Sequence, residues 1–186
     1  MRNLDPIVLT FSLGLLALVP ILIITTTAFL KIAIVLSLVK NALGVQQAPP
    51  NMAVYALALL LTVYVMAPVG MEMAEAVGVP STTTTVQSMI SDVRKAAEPL
   101  RKFMVNNSKV EQRDFFLGRA KQLWPAKISA DVRHDDFLIV APAFVVSELT
   151  SAFQIGFLLY LPFVVIDLVV SNILMAMGMM MVSPVT

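Results

Sequence analysis

Glu148 and Asp167 are the only charged residues between Phe137 and Thr186. An ionised carboxylate in an apolar helix is costly unless it is paired, faces water or carries a proton. Two chemistries follow: a proton or ion relay, as in a transporter, or an ion pair between subunits that specifies assembly. Two lone carboxylates make a sparse relay, which favours the pair. Lys31 is the one basic residue embedded in an apolar stretch, and other partners would have to come from other chains.

The run from Met175 to Met181 holds five methionines around Ala176 and Gly178, with Met71 and Met73 echoing it. Thioethers are soft ligands, so a Cu(I) path is one reading, but such a transporter is expected to add Cys or His. The chain has no cysteine and one histidine. Methionine is also unbranched and adaptable, the property a deformable ring around a pore requires. His134-Asp135-Asp136 offers metal or acid–base groups, yet three adjacent residues cannot converge on one ion from a helix. They read as a polar boundary. No glycine-rich phosphate loop, HExxH or GxSxG is present. We therefore expect neither an enzyme nor a bound cofactor or metal.

The elements that hold these residues are set by composition. Hydrophobic residues make up 58% of the 186 and charged residues 13%, against about 25% charged in soluble domains. That composition is a membrane protein's. The net charge of +1 gives no electrostatic reason to expect nucleic acid. Of 25 charged residues, 19 lie between Glu72 and Asp136. The chain thus divides into an N-terminal apolar part (1–71), a polar insert (72–136) and a C-terminal apolar part (137–186).

Pro6 to Leu30 is uncharged and long enough to span a bilayer. It exceeds a signal peptide's apolar core and is expected to stay. Pro20 and Thr25-Thr26-Thr27 predict a kink in it. A loop at 40–51 contains Pro49-Pro50, and Met52 to Met71 returns as a second span, closing a helical hairpin. In the insert, Val86, Met89, Ile90, Val93, Ala97, Leu100 and Phe103 mark an amphipathic helix that Pro99 should kink or interrupt. Val110, Phe116, Ala120 and Leu123 make a weaker second stripe ending at Trp124-Pro125. The insert is expected to form a small helical domain outside the bilayer. Lys31 and Lys40 beside the short loop favour that loop as cytoplasmic, which places the insert on the far side. Residues 137–186 as one helix would run about 75 Å, so they must fold back or project from the membrane. Pro142, Gly156, Pro162, Gly178 and Pro184 are candidate breaks, with a turn expected in a methionine-rich loop at 177–184. The natural protein is expected to continue past Thr186 with a further apolar helix.

The segment Pro142-Ala143-Phe144-Val145-Val146-Ser147-Glu148-Leu149-Thr150-Ser151-Ala152-Phe153-Gln154-Ile155-Gly156-Phe157 resembles the signature of the FliP/SctR family, the core export-gate subunit of flagellar and virulence type III secretion systems. Pro162 to Val169 resembles its second signature, and the Leu43 to Asn51 hairpin and the Met-Gly-Met-Met-Met-Val-Ser-Pro stretch also match. The Gly-Val-Gln-Gln wording is more similar to the injectisome (YscR/HrcR-like) branch. The resemblance implies an all-α, multi-pass membrane protein with kinked helical hairpins and an extracytoplasmic insert, assembling into a helical, five-fold ring in and above the bacterial inner membrane. It implies a small two-helix partner (SctS/FliQ-like), a larger related one (SctT/FliR-like) and switch and gate subunits (SctU/FlhB-like, SctV/FlhA-like). Unfolded secreted proteins would pass through the centre. By the same resemblance Met179, Met180 and Met181 match a methionine gasket that narrows the closed pore, and Glu148 matches an acidic residue at subunit contacts, a role also expected of Asp167 and Lys31. The family's Leu-Pro-Phe-Lys segment and last helix are absent from this sequence.

Overall fold

The computed structural model describes residues 6–44, 49–77 and 86–178, and within them every regular element is a helix. In chain order these are α1 (Pro6–Thr26), α2 (Phe29–Ala42), α3 (Asn51–Val77), α4 (Val86–Asn107), α5 (Val110–Leu123), the single turn α6 (Ala126–Ser129) and α7 (Phe137–Ala176).

The N-terminal apolar run is divided between two helices. Thr25, Thr26 and Thr27 each donate a hydroxyl hydrogen bond to the carbonyl four residues back, on Ile21, Leu22 and Ile23, at 2.6–2.8 Å. Threonines bonded back in this way bend helices, and here the chain breaks after the third. Thr27 Oγ1 also accepts from the Phe29 N–H at 3.3 Å, satisfying one of the orphan donors that open α2. The two axes differ by 66°. Pro20, the other expected source of a bend, lies inside continuous helix.

Helix α2 runs four residues past Leu38, through Val39–Ala42, because Lys40 turns its ammonium to Asn51 Oδ1 at 2.8 Å, at the start of α3. The two helices form an antiparallel pair in which Leu36, Val39 and Leu43 face Leu57, Val54 and Ala53. Helix α3 carries on past Met71 through Glu72 and Glu75 to Val77 and packs against α4.

Helix α7 spans 40 residues, about 60 Å at 1.5 Å per residue and roughly twice a bilayer's hydrocarbon thickness. It continues through Pro142 and Pro162. The sequence left open whether this segment folds back or projects; from Phe137 to Ala176 it does not fold back but forms one continuous helix. Its buried positions form two rows at four-residue steps, Ile139, Ala143 and Ser147 beside Val140, Phe144, Glu148, Ala152 and Gly156, and stop at Gly156. Helices α2, α4 and α5 cover that first half. The second half is largely exposed, with Phe157, Leu158, Ile166, Leu168 and Ile173 all more than half accessible and Phe163, Val164, Ser171 and Leu174 half-buried.

The polar insert is packed onto the apolar part. Helix α4 continues through Pro99 without a break and buries Met104 against Val140 and Phe144 of α7, with Leu100 and Phe103 alongside. The Phe103 and Phe144 rings meet edge-on at 5.8 Å. Helix α5 ends where expected, at Leu123 before Trp124, and its contacts are chiefly with α7. By length and composition α3 and α7 can each cross a membrane, and the bent α1–α2 pair makes a third candidate.

Candidate functional site

Helices α2 and α7 run parallel, with contacts that climb in step along both. Lys31 meets Glu148, Leu38 meets Gly156, and Asn41–Leu43 lie beside Tyr160–Val170. The close approach at the middle contact depends on glycine. A Cβ on Gly156 would fall 3.1 Å from the Leu38 Cβ and into its Cδ1.

At the lower contact Lys31 Nζ lies 2.6 Å from Glu148 Oε1. The carboxylate side chain is 3% exposed and the lysine 31%. The lysine stem thus covers apolar surface while its ammonium neutralises the buried charge. The sequence singled out both residues; the structure joins them within one chain, so burial of Glu148 does not by itself require a partner from a neighbour. Next to Glu148, Ser147 Oγ donates to the Ala143 carbonyl at 2.7 Å and accepts from the Lys109 N–H at 2.9 Å. That second bond pins the start of α5 to α7, a link that a sequence separation of 38 hides from any local pattern.

Asp167 lies higher on α7 and is exposed, with no ion pair or hydrogen bond among the described residues. It lines a groove of about 550 Å³ at the carbonyl end of α2, with Asn41, Leu43, Tyr160, Phe163 and Val170. A separate, apolar groove of about 320 Å³ lies between α2 and α3.

The tripeptide His134-Asp135-Asp136 splits three ways. Asp135 accepts from Arg101 Nη1 at 2.6 Å, Asp136 Oδ2 accepts from the Arg133 N–H at 2.8 Å, and His134 Nδ1 lies 3.2 Å from Asp114 Oδ1. Among the described residues no three metal-ligating side chains converge. Arg101 also grips Glu98 in a two-pronged bond and reaches the Asp135 carbonyl at 3.0 Å, clamping α4 to the turn that opens α7. The guanidinium bonds hold both Glu98 and Asp135 below the usual carboxylate range, and the Glu98 bond raises Arg101 in turn. Glu98 three residues before Arg101 is a legible helical pair; Asp135 is not foreshadowed by spacing.

Helix α7 closes with Met177 and Gly178. Gly178 takes φ +84°, and its N–H bonds to the Met175 carbonyl at 3.0 Å. This is a left-handed helix terminator, which glycine adopts without strain. Met175 and Met177 are more than half exposed. Met179, Met180 and Met181 lie outside the described residues.

Comparison with known proteins places these features in a group. The model of the FliP family matches residues 12–186. The chain is 49% identical over 183 residues to the Yop proteins translocation protein R of Yersinia pestis, covering 98% of this chain and 84% of that protein. It is 45% identical over 183 residues to the harpin secretion protein HrcR of Erwinia amylovora, again covering 98% and 84%. Over 188 residues it is 45% identical to the virulence protein YscR of Salmonella typhimurium, covering 98% and 85%.

Proposed function

Because the chain belongs to the FliP family, on its injectisome branch among type III secretion proteins, we propose that it is a pore-forming core subunit of the export gate. It passes unfolded proteins across the bacterial inner membrane. The observation that carries this reading is the form of α7, whose first half is clamped by the chain's own helices while the second half, about 30 Å long, is mostly apolar and largely exposed. A mostly apolar, largely exposed stretch of helix demands lipid or neighbouring subunits around it. Copies of the chain and the family's smaller and larger partners supply those neighbours in a ring.

At the end of α7 the glycine turn redirects the chain into Met179, Met180 and Met181. Repeated around a ring, these thioethers form the gasket: apolar enough to exclude water when closed and flexible enough to deform around a polypeptide. Lys31 and Asp167 serve at subunit contacts, and Glu148 serves there through the Lys31 ammonium that it holds. The division into an N-terminal hairpin (1–71), a polar insert (72–136) facing the periplasm and a C-terminal helix with its methionine-rich loop (137–186) belongs to the same reading.

The test is electrical. The purified complex in a planar bilayer should be closed in wild type, and Met179, Met180 and Met181 all replaced by Ala should assemble but conduct ions. A tightly closed triple variant overturns the gasket. Loss of Cu(I) binding with unchanged permeability would instead support the metal-transport alternative.

A further inference from the structure

The groove between α2 and α3 combines an apolar channel with a single cation. Leu36, Val39, Leu43, Ala53, Val54 and Leu57 line it, and Lys40 is the one polar side chain on its wall. Leu43 and Leu57, on opposite sides, are about half exposed. The Lys40 ammonium donates to Asn51 Oδ1 at 2.8 Å. An ammonium has three donors, and Asn51 takes one. Among the described residues no carboxylate lies within ion-pair distance of Lys40, and residues 6–71 contain no Asp or Glu. Lys31, the other cation of these helices, differs in being neutralised by Glu148.

We propose that the groove binds one acyl chain of an anionic phospholipid, whose phosphate takes the Lys40 ammonium. The proposal goes beyond the pore reading and needs only that α2 and α3 lie in a membrane. Charge supports it, because a lone cation at the end of two apolar helices suits the negative headgroup of a lipid, and basic pockets between membrane helices bind such headgroups. Depth agrees with charge. Leu36 lies four residues from Lys40 and Leu57 six from Asn51, about 6–9 Å along the helices, so a phosphate held at Lys40 has its chain running beside both.

Size and backbone chemistry favour a chain of methylenes over a polypeptide. The groove holds about 320 Å³, whereas one turn of helix with its side chains fills about 500 Å³. An extended peptide is narrower, but walls that are apolar apart from Lys40 would leave its N–H and C=O groups unpaired. An acyl chain carries no such groups.

The test uses the intact complex in lipid nanodiscs. A photo-crosslinking amino acid at Leu57 should attach to lipid, and capture of a second copy or of another subunit there overturns the proposal. Phosphatidylglycerol and the zwitterionic phosphatidylethanolamine, each with a diazirine at the end of one acyl chain, are then compared at equal amounts by mapping labelled peptides. Phosphatidylglycerol should label the facing stretches of α2 and α3 about fivefold more, the order expected for one basic side chain at a membrane surface. Lys40→Gln, which keeps a donor for Asn51, should reduce that labelling to the phosphatidylethanolamine level, and Lys40→Arg should retain it. Excess glycerol phosphate, the anion without the chain, should not compete. Equal labelling by the two lipids in wild type, labelling outside the groove, or competition by glycerol phosphate each overturns the proposal. The wild-type comparison decides even where Lys40→Gln fails to assemble.

Discussion

Breaking the Lys31–Glu148 pair should be asymmetric. Lys31→Met leaves a carboxylate buried to 3% exposure without its cation, whereas Glu148→Gln leaves a lysine that already reaches the surface. Removing one partner of a buried pair costs up to about 3–5 kcal/mol, so the lysine substitution should be the more damaging. The double variant should lose less than the two single losses added together. Thermal unfolding in detergent, run as a double-mutant cycle, gives the coupling directly. Equal single losses that add would show that the pair contributes nothing. One step up α7, Gly156→Ala should cost about 1–3 kcal/mol through overpacking, because the new methyl meets the Leu38 side chain near its root as well as its tip. Leu38→Ala should restore most of that loss. The sequence exposed Glu148, Asp167 and Lys31 because charge in an apolar run is conspicuous. It did not reveal that Lys31 and Glu148 meet, since 117 residues separate them and no periodicity spans the gap. Ser147 and Lys109 escaped notice for the same reason.

At the scale of elements, the clamp between α4 and the turn into α7 is acid-sensitive. Glu98 and Asp135 are held below their ordinary values by Arg101. Groups lowered in the folded state contribute stability above their unfolded values, 4.5 and 3.8, and lose it as pH falls through those values toward the folded ones. The only tryptophan, Trp124, lies at the end of α5 and reports on the insert. Its melting transition should be flat above pH 4.5 and decline below it; Arg101→Gln should weaken that decline. Both carboxylates are more than a third exposed, so the effect is modest, as for surface pairs. Helix existence was legible throughout from periodicity and apolar length. Boundaries were less so. Prolines at 99, 142 and 162 read as breaks, yet each helix continues. Packing of Met104, Val140 and Phe144 offsets the lost donors around the first two, while around Pro162 an apolar setting favours keeping every other backbone bond inside the helix. The three threonines competed with Pro20 for the bend, and the chain breaks where three successive carbonyls each accept a threonine hydroxyl.

For the molecule as a whole, composition separated the polar insert from the apolar parts but could not show that α4 and α5 lie against α7. The inward stripe of α4, Leu100, Phe103 and Met104, is short and looks like a self-contained core until the partner helix is known. The proposed periplasmic placement of the insert requires that a cysteine at the exposed position Asn106 react with a membrane-impermeant maleimide added outside the inner membrane. Labelling only after the inner membrane is opened would reverse the orientation. The central claim is that secreted polypeptides pass through a ring closed by the methionines beyond α7. The most direct measurement places a photo-crosslinking amino acid at Met180 in cells carrying the complete secretion system, with a secreted protein stalled in transit by a fused, tightly folded domain. The account requires a crosslink between this chain and the stalled protein at Met180, and none from the exposed positions Leu60 and Lys121. Crosslinks at those positions with none at Met180 would contradict it.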